Sequence, residues 1–373
     1  MTSPATTPPA TVDVGTRRGR AVPVQAIDTS DALVSVLIPL HDYALYLPAA
    51  AASALGQTGV RVQLVIVDDC SSDDSLAVAR AIAAGDERVL VLANPRNLGP
   101  VGSVLVALAV ATGEFSWYLD ADDVIAPGAL ARAVAVARAH PSVGMVYGHP
   151  LHFTDGHALP EPRTAPTSWL LWSGEDWLHE RCRTGVNVIT SPEVLVRRSV
   201  LDRVGWPRPL PHTYDLELWL RLAAASDVAY IRGADQAWHR EHAGSRSDAV
   251  TPLRDLRERL LAFETFFAAP GSRLERRAEL EHLARTALAR DALVRGAQRF
   301  DSGGSDVAEL QEHLGFAQAV FGDAGLLPEW ERLESRLLRP RNGRFSPRFL
   351  AERVLRRLRT DRAWRRWHRE GSY

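Results

Sequence analysis

Cysteine is nearly absent from this 373-residue sequence. Cys70 and Cys182 stand far apart and neither belongs to a C-x-x-C pair. That excludes a disulfide framework and a cysteine zinc site, and it points to a reducing cytoplasm. Lysine is missing altogether: all 44 lysine-plus-arginine positions are arginine, and with abundant alanine this reads as the coding bias of a GC-rich bacterium. No apolar run approaches the roughly 20 residues that a helix needs to cross a bilayer. Arg17-Arg18 is not expected to open an export signal, because the GRAVPVQAIDTSD that follows is too short and too polar for a signal core. The first strand–helix turn lacks G-x-G-x-x-G, which removes a dinucleotide-binding dehydrogenase. No internal repeat occurs.

What is present is globular: 46% of residues are hydrophobic and 24% charged, in a chain long enough for one large domain or two moderate ones. The formal net charge of −1 hides an asymmetry. From Arg336 onward, thirteen arginines face only Glu352, Asp361 and Glu370, a net of +10, so the rest of the chain carries −11.

Residues 1–30, rich in Thr, Pro and Ala without a period, are expected to form a disordered leader. Order is expected to begin at ALVSVLIPL (32–40), a β-branched run ended by Pro39. Strands are then predicted at 62–69, 88–94, 114–120 and 143–149, and helices at 45–55, 74–84, 101–112 and 128–139. Continuous apolar strands separated by such helices imply an α/β fold with a parallel sheet covered on both faces. Ligands of such sheets bind beyond the carboxyl ends of the strands, where Asp68, Asp69 and Asp120 fall. After residue 150 the pattern loosens, then resumes in EVLVRRSVLDRVG and TYDLELWLRLAAA. The predicted organisation is an α/β unit over 31–249 and a helical region over 250–373, broken at FDSGGSD and RPRNGRFSP, with a basic tail from about 336.

Two acidic stretches carry chemistry. In VDDCSSDDS (67–75), Ser71, Ser72 and Asp73 suit the N-cap of the next helix. Asp68 and Asp69 precede that cap, and a carboxylate there can accept the N3–H of a uracil or thymine ring. In WYLDADD (117–123), Asp120 and Asp122 flank one residue, and in an extended loop they point to the same side. Carboxylates that close repel unless a proton or cation lies between them. Mg2+ and Mn2+ prefer oxygen ligands, commonly one or two carboxylates plus substrate phosphates. D-x-D after an apolar strand therefore has the chemistry of a metal–diphosphate site. Asp123 reads as a residue at the start of the next helix, with Pro127 in its first turn.

The segments VSVLIPLHDYALYL, VDDCSSDDS, NPRNLGPVGSVLVALAVATGEF, YLDADD, VLVRRSVLDRVG and YDLELWLRLA resemble, in order and spacing, the family 2 glycosyltransferases over roughly residues 34–247. The resemblance implies the GT-A (nucleotide-diphospho-sugar transferase) fold: a mixed, mainly parallel sheet flanked by helices, here followed by a helical C-terminal region. It implies an inverting, metal-dependent transfer of a sugar from a UDP- or dTDP-sugar to an acceptor hydroxyl on a glycan or lipid-linked molecule. Asp69 looks like the residue reading the nucleobase, and Pro39 opens the loop cradling the nucleotide. Arg96, Asn97 and Gly99 match an R-N-x-G element lining the donor pocket, although Gly99 also suits a turn at a helix start. Asp120 resembles the aspartate at ribose and diphosphate, and Asp122 the ligand of Mg2+ or Mn2+. Asp215 in TYDLELWLRL takes the place of the general base, with Glu217 as its alternative; both also suit the first turn of a helix capped by Thr213. His242 is a candidate further contact for metal or diphosphate, with His239 as competitor.

Two departures from the family pattern stand out. Tyr214-Asp215 replaces the usual Glu-Asp, and His41-Asp42-Tyr43 stands where Asn before an aromatic is common; Asp42 can accept hydrogen bonds from a donor but cannot offer an amide. A sugar-phosphate nucleotidyltransferase is the nearest rival, yet PLHDYALYL lacks the Gly-rich, basic phosphate loop it needs. A degenerate fold acting as a binding module is the other, against which stand the intact D-x-D and Asp215. In the tail, Phe349, Leu355, Leu358 and Trp364 or Trp367 lie among arginines. Such a helix suits either peripheral contact with an anionic membrane, at the inner face of the plasma membrane, or packing on the acidic body. No nucleic-acid motif accompanies the charge.

Overall fold

The computed structural model describes residues 17–242, 251–269, 274, 276–303, 307–338 and 346–371. The first half alternates strands and helices: β1 (Arg20–Val22), β2 (Leu33–Leu40), α1 (Leu47–Leu55), β3 (Arg61–Asp68), α2 (Ser75–Gly85), β4 (Val89–Ala93), α3 (Gly99–Val110) and β5 (Phe115–Tyr118). Next come β6 (Val124–Ile125), α4 (Ala129–Ala139), β7 (Val143–Thr154), β8 (Ser168–Trp172), α5 (Gly174–Thr184), β9 (Val194–Arg197), α6 (Arg198–Val204), α7 (Tyr214–Ala225) and β10 (Asp227–Glu241). The rest is helical: α8 (Pro252–Ala268), α9 (Arg277–Ser302), α10 (Val307–Val320), α11 (Pro328–Leu337) and α12 (Pro347–Glu370).

Among the described residues, ten strands join one sheet in the order β1-β8-β10-β7-β9-β5-β2-β3-β4, with β6 pairing β10. The stretch β5-β2-β3-β4 is parallel throughout. β9 runs antiparallel to both of its neighbours, β5 and β7, so the sheet is mixed. Period-2 alternation divides β2 and β3 between two cores. Leu37, Val65 and Val67 face one, and Val36, Ile38, Leu64 and Ile66 face the other. That is why these strands read as continuous apolar runs. The first core continues through Trp219, Phe263 and Leu288 to Phe349 and Trp367, so the C-terminal helices share it with the sheet. Gly113 lets the turn before β5 press on β2, since a Cβ there would meet the Ser35 amide nitrogen at 2.6 Å.

The structure corrects three local expectations. Order begins before residue 32: Arg20–Val22 pairs antiparallel with β8 at the sheet edge, and the Arg17 amide donates to Glu180. Only Val22 of that strand is buried, so three residues held by their backbone gave no hydrophobic signal. Residues 1–16 lie outside the described residues. Pro39 does not end β2, which runs on to Leu40. Pairing with β3 continues through Pro39, but pairing with β5 stops at Leu37, so the missing N–H of Pro39 can fall on the side that β5 has left. Pro127 is not in a helical turn, because β6 intervenes and α4 starts only after Gly128, in the left-handed region at φ 69°.

α12 returns to the sheet at its end. The Trp367 indole donates to the Val188 carbonyl (3.1 Å), and the Tyr147 hydroxyl donates to that of Gly371 (2.6 Å). His149 lies beneath, its ring 5.0 Å from Trp367 and 4.1 Å from His368. Burial, with His368, Arg163 and His152 adding to it against Asp235, holds the His149 imidazole down at about 3. An unfolded histidine binds its proton near 6.5, so stability is intact above that pH and is lost as pH falls toward 3. Thermal melts between pH 7.5 and 4.5 should therefore decline more steeply for the wild type than for His149→Phe; parallel declines would refute this.

Candidate active site

Three strand ends and the loops beyond them build the site. Asp69 follows β3, its amide donating to the Leu40 carbonyl at 2.7 Å. It is buried, and Oδ1 accepts from Asn94 Nδ2 (2.7 Å) and the Leu98 amide (2.8 Å). These bonds fix the carboxylate while Oδ2 has no hydrogen-bond partner among the described residues. Asp68 beside it accepts from the Ser71 amide at 3.3 Å and buries Oδ1 without a partner. The helix cap is built otherwise than the cluster suggested: Asp73 accepts from the Ser75 and Ala44 amides, while Asp74 at the N-cap position makes no side-chain cap.

The loop after β2 crosses the same edge. His41 Nδ1 is 3.0 Å from the Asp69 carbonyl, and its Nε2 is 3.3 Å from Asn97 Nδ2. Asn97 Oδ1 accepts from the Gly99 amide, and Gly99 takes φ 73°, which favours glycine at the start of α3. Arg96 is solvent-exposed. Asp42, itself at φ 57°, spends its carboxylate on the Ser72 amide (2.6 Å), the Ser72 hydroxyl and the Asp73 amide, and the first of these bonds leads in holding its pKa below the ordinary value. Its acceptor capacity thus ties two loops together.

The D-x-D segment is a turn, closed by the Asp123 amide on the Asp120 carbonyl at 3.1 Å. Extended-strand alternation therefore does not apply, and the acids serve different neighbours. Asp122 Oδ2 is 2.9 Å from His242 Nε2, with Tyr43 and Tyr46 against the imidazole. Asp123 is fully buried and holds the turn to β10, accepting from the Arg240 amide (2.8 Å) and facing His239 Nδ1 at 3.1 Å. Burial opposes charge on His239, but Asp123, with Asp120 and Glu193 behind it, overrides that and pushes the imidazole up to about 9. His239 is thus bound to the structural acid and His242 to Asp122. Arg240 completes the clamp, donating to the Asp122 carbonyl and Asp155 with its guanidinium over the Tyr46 ring.

Asp120 lines a cleft of about 340 Å3, including its open mouth, together with Pro39, Tyr118, Ser191, Asp215 and Trp219. Asp215, in the first turn of α7, accepts from Asn187 Nδ2 at 2.6 Å. Burial raises its pKa above the ordinary value, against the Leu216 amide, Asn187 and His212. Glu217 has a different fate. It is fully buried, chelated by Arg221 Nε and Nη2 and reached by Arg208 at 2.8 Å. Thr213 occupies the N-cap position, but its hydroxyl donates to the Glu258 carbonyl (2.7 Å) instead of capping.

Asn94, Asn187, Arg240 and the 190–193 turn also belong to the site, although no residue pattern in the sequence singled them out. In that turn the buried Glu193 accepts from Thr190 and sets Ser191 at φ 94° on the cleft wall. No local pattern marks Asn187, which meets Asp215 only through the fold. Among the described residues no three His, Cys, Asp or Glu side chains converge as a metal cage. One carboxylate with an adjacent imidazole nonetheless fits a divalent ion whose remaining positions are filled by a diphosphate. Among the same residues no helix is long and apolar enough to cross a membrane.

A family model described as glycosyl transferase family 2 matches residues 35–205. An uncharacterized Mycobacterium tuberculosis protein is 27% identical over 57% of this chain and 69% of its own. An Escherichia coli UDP-Glc:alpha-D-GlcNAc-diphosphoundecaprenol beta-1,3-glucosyltransferase is 25% identical over 54% and 74%. The succinoglycan biosynthesis protein ExoO of Rhizobium meliloti is 38% identical over 28% of this chain but 30% of its own length, and the chain likewise spans well under two thirds of several other curated relatives. Among solved structures, S. aureus TarS in complex with UDP-GlcNAc superposes with a TM-score of 0.57 at 19% identity, over 81% of this chain and 87% of that one. The mannosyltransferase PcManGT from Pyrobaculum calidifontis, in complex with GDP-Man and Mn2+, gives 0.50 at 19% identity, over 86% and 88%. Likeness at such identities speaks to fold alone. Residues 35–205 match the glycosyl transferase family 2 model, and the fold is GT-A.

Proposed function

We propose that the chain transfers a sugar from a UDP- or dTDP-sugar to an acceptor hydroxyl, with inversion and with the help of Mg2+ or Mn2+, in the synthesis of a cell-envelope polysaccharide or glycoconjugate. The observation carrying this reading is that Asp120 and Asp215 share one cleft wall while Asp122 stands beside His242. Asp69, fixed by Asn94, offers its free oxygen to the nucleobase, and Pro39, Asn97 and Gly99 shape the neighbouring wall. Arg96, exposed beside them, is the group left to meet donor phosphate. Asp42 acts through the loop it ties to Ser72. Asp122 and His242 are the residues to hold the ion, which when bound neutralises charge developing on the diphosphate leaving group. Asp215, its pKa raised by burial, accepts the proton of the attacking hydroxyl. Attack from the face opposite the diphosphate inverts the anomeric carbon, so the chain's main task is holding both substrates in line.

Support for a nucleotide-sugar donor comes from the ligands named with TarS and PcManGT; the E. coli relative's name suggests a lipid-linked acceptor. In this reading residues 31–249 form the catalytic unit, 250–373 a helical accessory, and the enzyme works in the cytoplasm. A thermal-shift panel of nucleotide sugars with and without Mn2+ tests it. At 100-fold excess over Kd the correct donor adds about 2.7 kcal/mol of stability. A shift with UDP- or dTDP-sugars that needs the metal is expected, and a panel without any response would overturn the reading. His242→Ala should weaken the apparent Mn2+ affinity by roughly 10- to 100-fold and Asp122→Asn should remove the Mn2+ dependence, both read by titration in the presence of UDP. Hydrolysis of the donor in Mn2+ separates an enzyme from a degenerate binding module.

A further inference from the structure

The two faces of α12 are built differently. Its inner face packs on the body: Phe349 and Trp367 are buried, Arg356 reaches Asp301, Arg348 reaches Glu331 and Arg366 reaches Glu180, while Arg348 and Arg366 also pair with Glu352 and Glu370 of the same helix. The opposite face keeps its side chains in solvent. At 100° per residue Leu350, Val354 and Leu358 form one row, flanked by Leu355 and Trp364, and these five are 42–60% exposed. Arg357, Arg362 and Arg365 fall within the same arc, exposed and without an ion pair among the described residues. Asp361 is the one acid the helix exposes there.

We propose that this outward face of α12 docks the protein on an anionic lipid bilayer. An apolar row interleaved with unneutralised arginines matches the boundary between acyl chains and acidic headgroups. Charge complementarity extends to the whole molecule. The chain before Arg336 carries −11 and is repelled by an anionic surface, whereas the tail is attracted, so a single orientation is favoured. A second copy of the chain would bring the same arginines against these, and a nucleic acid would leave the apolar row uncovered. The inference does not depend on which donor or acceptor the enzyme uses.

Co-sedimentation of the full chain with vesicles of phosphatidylcholine alone, and of phosphatidylcholine with phosphatidylglycerol, tests the proposal. Association is expected with the mixed vesicles only. R357Q/R362Q/R365Q should lower the partition coefficient roughly fivefold per arginine, on the order of a hundredfold together. V354S/L355S/L358S should remove the part of the association that survives high salt. Because all six side chains are exposed, both variants should melt with the wild type and keep its nucleotide-sugar response. Absence of wild-type association with the mixed vesicles, equal association of both variants, or equal binding to neutral vesicles would each overturn the proposal. So would a dimer in sedimentation velocity that the serine variant dissolves, or competition for this face by DNA.

Discussion

Asp215→Asn is expected to lower kcat by about 10²- to 10⁴-fold, the range for removing a general base, while donor binding stays within a few-fold of wild type. Asp215 is held by Asn187 at 2.6 Å in the cleft that Asp120 also lines, so its carboxylate is fixed in one orientation there. Its burial raises the pKa, which strengthens it as a proton acceptor and makes its charge a burden on the fold. The sign follows: an acid whose folded pKa exceeds the unfolded value costs stability once pH rises above the unfolded value, near 3.9. The asparagine variant should therefore melt at or above the wild-type temperature while failing to transfer. Single-turnover kinetics together with a thermal melt read both quantities. Wild-type transfer with normal donor binding would remove Asp215 from the chemistry; a large loss of Tm would mean its role is structural.

Glu217→Ala should do the reverse. Its carboxylate neutralises the buried Arg221 and meets Arg208, and removing it leaves a guanidinium in the core bonded only to the carbonyls of Val204, Gly205 and Trp206. Breaking one partner of such a pair costs about 3–5 kcal/mol. Urea unfolding should show a clearly lowered midpoint, and the residual folded enzyme should still turn over. The two acids lie two residues apart on α7 and point to different surroundings, one to a cleft and one to a core. Full stability with lost transfer in the Glu217 variant would exchange their roles.

That pair shows how far the sequence reached. TYDLELWLRL named a helix and two acids in its first turn, but spacing could not say which acid met solvent. The choice was made by Arg221 one turn further and by Arg208 and Asn187 from outside the helix. The histidines followed the same logic. WHREH offered two, and only the pairing of β10 with β6 and β7 put His239 on Asp123 and His242 on Asp122.

By itself the sequence determined the α/β alternation, the strand ends that carry Asp69 and Asp120, the resemblance to the family 2 glycosyltransferases, and the division of charge between body and tail. All of these are set by local patterns: apolar runs of strand length, turn residues, and acids at fixed offsets. Only the tertiary structure decided the antiparallel insertion of β9, the edge strand β1, the turn that parts Asp120 from Asp122, and the packing of one face of α12 on the body. Each of those depends on partners distant in the chain. Whether a carboxylate is a base, a clamp or a core ion pair is fixed by what the fold brings against it.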